Sequence, residues 1–421
     1  MNLFINNVFI IHPDSPHNGQ KVDMMIENGV IQKIGKCLKC PENATFIEGE
    51  GAFAALGFMD IGVQACDPGF EHRDDVFSIA KAAAFGGFTS VAVQPNTQPT
   101  LHSKSEIAYV KNKTKEQLVD FQVIGAMTQD CKGEEISEMY DMYHAGAIAF
   151  SDGKKSIKES GILLRALQYV KAFDGLIINH PFEKSVAQGG QMHEGLMSTS
   201  LGMKGIPSLS EELMLVRDLY LLEYCESRLH VANISTARSV DLIRQAKAKG
   251  LQVTASVAAI NLAFEDNDLA NFDTFLKVQP PLRAQSDIAA LREGLVDGTI
   301  DFIASNHIAH DEEAKNLEFP YADFGVIGLE TTAAVANTFS GLSKEQLVEK
   351  LSINPRNILK INTPNIVEGE KANLTIFNPN LVWTYEKKHI LSKCYNSPFI
   401  GKELKGKTIA VINQGKVEYS Q

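Results

Sequence analysis

Basic residues are in short supply: 40 Lys and Arg stand against 51 Asp and Glu, a formal net charge of −11. A protein that tracks a phosphate backbone needs a basic surface to displace counterions, so this balance speaks against a nucleic-acid partner. Long apolar runs are missing too. No stretch approaches the roughly 18–20 apolar residues that cross a bilayer. The apolar start, Met1 to Ile11, has no basic residue ahead of its apolar stretch and no small-residue cleavage site. It reads as a first strand, and the expected address is the cytoplasm, without membrane association. Six cysteines scattered over 421 residues do not make a disulfide framework. Cys37-Leu-Lys-Cys40 is a lone CxxC, and a structural zinc site would need a second pair nearby. There is no Walker-type glycine loop, no G-x-S-x-G turn and no H-E-x-x-H helix.

What is present has two textures. Residues 2–50 alternate in short strand-like runs (Leu3-Phe4-Ile5, Val8–Ile11, Val22–Ile26, Val30–Ile34), with Glu27-Asn28-Gly29 as a hairpin signal. The chain's end repeats this with Asn373–Pro379, Thr408–Ile412 and the turn Asn413-Gln414-Gly415. The two ends predict one small composite β-sandwich domain, residues 1–51 plus 368–421. Between them, residues 52–367 alternate short apolar strands with amphipathic helices. Thr89–Val93, Phe121–Ile124, Ala147–Phe150, Leu176–Asn179, Leu229–Asn233, Gln252–Ala255 and Asp301–Ser305 read as strands. Val76–Phe85, Ser105–Lys113, Ile157–Ala172, Glu211–Cys225, Ala237–Lys249 and Ser286–Leu295 read as helices. Seven or eight βα units predict an α/β fold of the (β/α)8 TIM-like barrel type. A doubly wound sheet is the alternative, without a G-x-G-x-x-G to support it. Lys184 to Gly205, rich in Gly and Met, reads as a long excursion over the barrel mouth.

The segment Gly57-Phe58-Met59-Asp60-Ile61-Gly62-Val63-Gln64-Ala65-Cys66-Asp67-Pro68-Gly69 resembles the first-strand signature of the dihydroorotases and related cyclic amidohydrolases, G-x-x-D-x-H-x-H-x-R-x-P-G. The likeness runs on through Gln94-Pro95-Asn96-Thr97, Ala149-Phe150-Ser151-Asp152, Ile234-Ser235-Thr236-Ala237, Pro280-Pro281-Leu282-Arg283 and Gly325–Glu330. It covers nearly the whole chain. The resemblance implies an amidohydrolase-type barrel, a place in pyrimidine biosynthesis, and interconversion of carbamoyl-aspartate and dihydroorotate at zinc. In that chemistry the metal polarises an amide carbonyl and generates a hydroxide, and an Asp moves the proton.

Matched position by position, the chain departs from that apparatus. The paired metal histidines fall on Gly62 and Gln64, and another metal His falls on Asn233. The substrate-binding Arg falls on Cys66, and the catalytic Asp on Asn306. A further histidine pair falls on Ile260 and Asn261. Asp152 and His180 match metal-ligand positions, and Asn96 and His310 match substrate contacts. Each retained residue also has a plain structural role open to it. Asp152 suits a cap for a helix near Lys155, and His180 a hydrogen bond in a polar cavity. Asn96 suits a turn, and His310 a loop that leads into a helix. The expectation is no bound cofactor, with zinc restricted to partial occupancy or to a rebuilt site of Cys66, Asp152, His180 and His310. The functional expectation is a catalytically impaired structural or regulatory partner, for example of aspartate carbamoyltransferase, and a homodimer. The alternatives are a working zinc-dependent dihydroorotase or other cyclic amidohydrolase, and a small-molecule sensor without chemistry.

Overall fold

The computed structural model describes residues 2–420. The apolar runs without period-two alternation become strands buried on both faces, as a parallel sheet wrapped by helices requires. In chain order these are β1 (Phe58–Val63), β2 (Phe88–Val93), β3 (Asp120–Ala126), β4 (Ala147–Ser151), β5 (Ile177–Asn179), β6 (Leu229–Val231), β7 (Val253–Ala258) and β8 (Phe302–Ala304). Each pairs in parallel with the next. The ring is drawn shut by side chains: the buried Asp60 carboxylate on β1 accepts from Ser305 N at 3.1 Å and from Ser305 Oγ, just past β8. Gln64 N adds a bond to His307 O at 3.1 Å. The fold is a (β/α)8 TIM-like barrel.

Helices start where the sequence supplies a cap. Asp75 accepts from Phe77 N and Ser78 N, both at 2.8 Å, at the head of Val76–Gly86, and Gly87 at φ 97° ends that helix. Thr236 accepts from Ser239 N at 3.0 Å to begin Ala237–Ala248. The helix expected from Ile157 begins only at Ser160, where Glu159 offers no side-chain cap.

The two chain ends assemble one eight-stranded sheet with its own apolar core, including Leu3, Ile5, Met24, Ile376 and Ile412. Phe53–Leu56, placed by sequence in the barrel span, belongs instead to this sheet. It pairs with Ile11's strand on one side and with Leu374–Phe377 on the other, and all four of its residues are buried. Its apolar side chains are needed on both faces there. The excursion after β5 is packed. Met192–His193 pairs with Gly205–Ile206, and the buried Arg283 holds both ends through His193 Nδ1 and Ile206 O, each at 3.0 Å.

Candidate functional site

In a (β/α)8 barrel the loops after the strands converge on one mouth. The matched site residues lie at or just past the strand ends: Gly62 within the end of β1, Gln64 after β1, Asn96 after β2, Asp152 after β4, His180 after β5, Asn233 after β6, Asn261 in the short helix Ile260–Ala263 after β7 and Asn306 after β8. A cavity of about 820 Å³ opens at this end beside β4 and β5, bordered by Asp152, Lys154, Phe182, Glu183 and Gln279. A cavity of about 580 Å³ at the opposite end, around Arg228, Thr254 and Asp301, lies at the strands' N-terminal ends and is remote from these residues.

Lys154 dominates the mouth. Its Nζ donates to Asn306 Oδ1 and lies 3.5 Å from Gln279 O. The residue is half-buried and borders the cavity. Burial draws its pKa down to about 7, opposed by the Asp60 carboxylate. Carbonyl acceptors favour the charged form further. Asn306 Oδ1 also receives Asn233 Nδ2 at 3.3 Å, and Asn306 Nδ2 donates to Gln279 O at 3.2 Å. The two asparagines at matched His and Asp positions are therefore tied to each other and to the lysine. Both sit at left-handed φ, 55° and 53°, which Asn tolerates.

Around this centre are acceptors without donors. His180 is buried, and its Nδ1 lies 3.2 Å from Ala232 O, which places the proton on Nδ1 and leaves Nε2 a bare acceptor. Burial, then the Lys154 charge, lowers the His180 pKa to about 3, so the ring is neutral. Asn96 Nδ2 donates to the Asp152 carbonyl at 3.0 Å, which leaves Asn96 Oδ1 unpaired. Asn261 Nδ2 donates to Pro281 O at 3.0 Å and leaves its Oδ1 unpaired. Gln64 Oε1 and Gln94 Oε1 are also without partners. Buried polar atoms are normally satisfied, so a group of such atoms at one mouth marks a place for solvent or a ligand.

Asp152 caps no helix. Its carboxylate accepts from Thr128 N at 2.9 Å and from Thr128 Oγ1, tying β4's loop to β3's; burial raises its pKa. His310 accepts from Arg73 at Nδ1, 3.1 Å away, and donates from Nε2 to Phe324 O at 3.0 Å. Both ring nitrogens are engaged, and burial lowers its pKa to about 4. The Asp311 carboxylate does begin a short helix, accepting from Ala314 N at 2.9 Å. Cys66 is fully buried at φ 61°, and burial pushes its thiol up to about 12, away from the thiolate that binds metal. The rebuilt set of Cys66, Asp152, His180 and His310 is thus not assembled, because three of its members are turned to other partners. Gly62 offers no donor, and its φ of 97° suits glycine alone. Among the described residues no three or more His, Cys, Asp or Glu side chains are grouped to hold a metal ion. The donors as placed do not fit a zinc ion. All six cysteines are free, Cys37 and Cys40 included.

A family model described as Dihydro-orotase-like matches residues 53–239, and one described as Amidohydrolase family matches residues 210–417. A dihydroorotase of Pelotomaculum thermopropionicum is 41% identical, over 99% of this chain and 98% of its own. A dihydroorotase of Geotalea daltonii is 39% identical over the whole of both chains. The chain belongs to the dihydroorotase family. Among solved structures, the L-hydantoinase (dihydropyrimidinase) of Arthrobacter aurescens superposes with a TM-score of 0.85 at 23% identity, covering 99% of this chain and 95% of that one. That likeness bears on the fold. Within this family frame, Lys154 and Gln94 are the site residues that sequence reasoning passed over. The available signal was position: Gln94 follows β2 directly and Lys154 stands three residues past β4, where side chains reach the mouth.

Proposed function

We propose that this dihydroorotase-family protein does not run the zinc-dependent ring opening and closing, and serves as a structural or regulatory partner in pyrimidine biosynthesis. Aspartate carbamoyltransferase is the partner this reading names. The observation that carries it is the Lys154 ammonium on Asn306 Oδ1, at the position matched to the proton-transferring Asp. An amide holding a lysine takes no proton from a water. The reading includes a homodimer in the cytoplasm and no zinc requirement. Among the described residues no helix is long and apolar enough to cross a membrane.

Two measurements test it together. Metal analysis of the purified chain is expected to find no stoichiometric zinc, and assays in both directions with added zinc no turnover above background. On a sizing column, adding aspartate carbamoyltransferase is expected to shift the elution volume. One zinc per chain with turnover would instead support a working dihydroorotase, the reading favoured by about 40% identity to proteins of that name. The unpaired Nε2 of His180 and Oδ1 of Asn96 favour a second reading, a ligand held without chemistry. Calorimetry with dihydroorotate and carbamoyl-aspartate separates that reading from an empty mouth.

A further inference from the structure

The mouth is built for positive charge. Asn306 Oδ1 and Gln279 O face the Lys154 ammonium, and His180 Nε2 and Asn96 Oδ1 add lone pairs that no protein donor meets. Gln94 Oε1 belongs to the same group, since a Cβ on Gly153 would stand 3.1 Å from it and 1.7 Å from Asn96 Oδ1. The buried Asp60 carboxylate adds its field from the barrel interior. Of the lysines that border the cavity, Lys154, adjoining Gly153, is the one whose Nζ meets these acceptors, while Lys132, Lys155, Lys158 and Lys184 also line it. The contact residue of Lys154, Asn306, and that residue's neighbour, Asn233, are both matched to the zinc apparatus.

We propose that the Lys154 ammonium is a tethered cation standing where the family places its metal, and that it excludes a divalent ion from this mouth. The inference rests on the reading that this chain does not run the zinc reaction, and deepens it by naming the residue responsible. Ligand loss alone leaves a hole that water fills. A lysine across the hole adds like-charge repulsion to any dication and occupies acceptors the dication would need. A ligand entering the mouth then meets an ammonium, a strongly hydrated donor with no open coordination position.

The decisive comparison uses two variants. In the first, Gln64→His, Asn233→His and Asn306→Asp join the native His180, with Lys154 kept; Gly62 is left alone because its left-handed backbone resists a side chain. The second adds Lys154→Ala. The expected result is about one zinc per folded chain in the second and none in the first. Equal zinc in both, or none in either, overturns the inference and leaves the proposed function standing. Zinc in the unsubstituted chain overturns the proposed function itself. A milder test needs only Lys154→Ala. Propylammonium replaces the deleted atoms and is expected to raise that variant's melting temperature by about 1–3 °C, with no effect on the native chain. 1-Propanol at the same concentration, in salt of matched ionic strength, is expected to do little. Equal stabilisation by the alcohol shows that volume, not charge, is what the cage requires, and overturns the inference.

Discussion

At the scale of single residues, the site depends on what small side chains leave open. Gly153 has φ +64°, and a Cβ there would collide with Asn96 Oδ1; Gly250 has φ +83° with nothing within 4 Å. Gly250→Ala is expected to cost about 1 kcal/mol from backbone strain alone. Gly153→Ala is expected to cost about 2–3 kcal/mol, because the clash adds to the strain and frees Asn96 from the Asp152 carbonyl. Urea unfolding of the two variants checks the difference. His230 is a second case. It is buried, stacks on Phe302, and lies 2.9 Å from Thr254 Oγ1 and 3.1 Å from Ser256 Oγ, with its pKa lowered by burial to about 3. Below pH 6.5 the unfolded chain binds a proton that the folded ring refuses until about pH 3. Stability is therefore fully present above 6.5 and falls with acid, by about 1.4 kcal/mol per pH unit for this ring. His230→Gln is expected to lower stability at pH 8 yet remove that much of the acid slope, as measured by unfolding between pH 6.5 and 4. That Gly62, Gln64, Asn233 and Asn306 stand at the barrel mouth was legible in the sequence, because each is at or just past an apolar strand run. Lys154 was not: a lysine two residues past a matched acid reads as a solvated charge until its Nζ is placed.

At the scale of elements, the barrel's open seam is the join between β1 and β8, where the described strands form no ladder and the Asp60–Ser305 bonds bridge them instead. Ser305→Ala removes the hydroxyl that donates to the buried Asp60 carboxylate, whose pKa burial has already raised to about 6. The expected loss is about 1–3 kcal/mol. Faster hydrogen exchange is expected in β1 and β8 before β4, and equal exchange in all strands would show that the seam is not special. Strand and helix types were readable because buried parallel strands are continuous apolar runs and the helices between them are amphipathic. Boundaries were less so. Phe53–Leu56 is apolar enough for either sheet, and only its pairing with Leu374–Phe377 decides which one holds it.

At the scale of the whole molecule, barrel and terminal sheet share hydrogen bonds that cross between them. The buried Asn413 donates to Thr89 O at 3.3 Å, to Leu118 O at 2.8 Å and to Asp120 Oδ2 at 3.0 Å. Asn413→Ala strands three acceptors at the barrel's lower rim. The expected result is a loss of about 2 kcal/mol and a calorimetric transition that broadens as the two units uncouple. A single sharp transition at the native temperature would show that the apolar contacts alone join them.

The terminal sheet also sets a timetable. Phe53–Leu56 leaves the ribosome early, and its partner strand beginning at Leu374 comes about 320 residues later, roughly 15–60 s at ordinary elongation rates. For that interval the first strands hold an apolar, unpaired edge, the kind of surface that recruits other chains. A chain cut short before Leu374 is therefore expected to aggregate through that edge, where the full-length chain closes it.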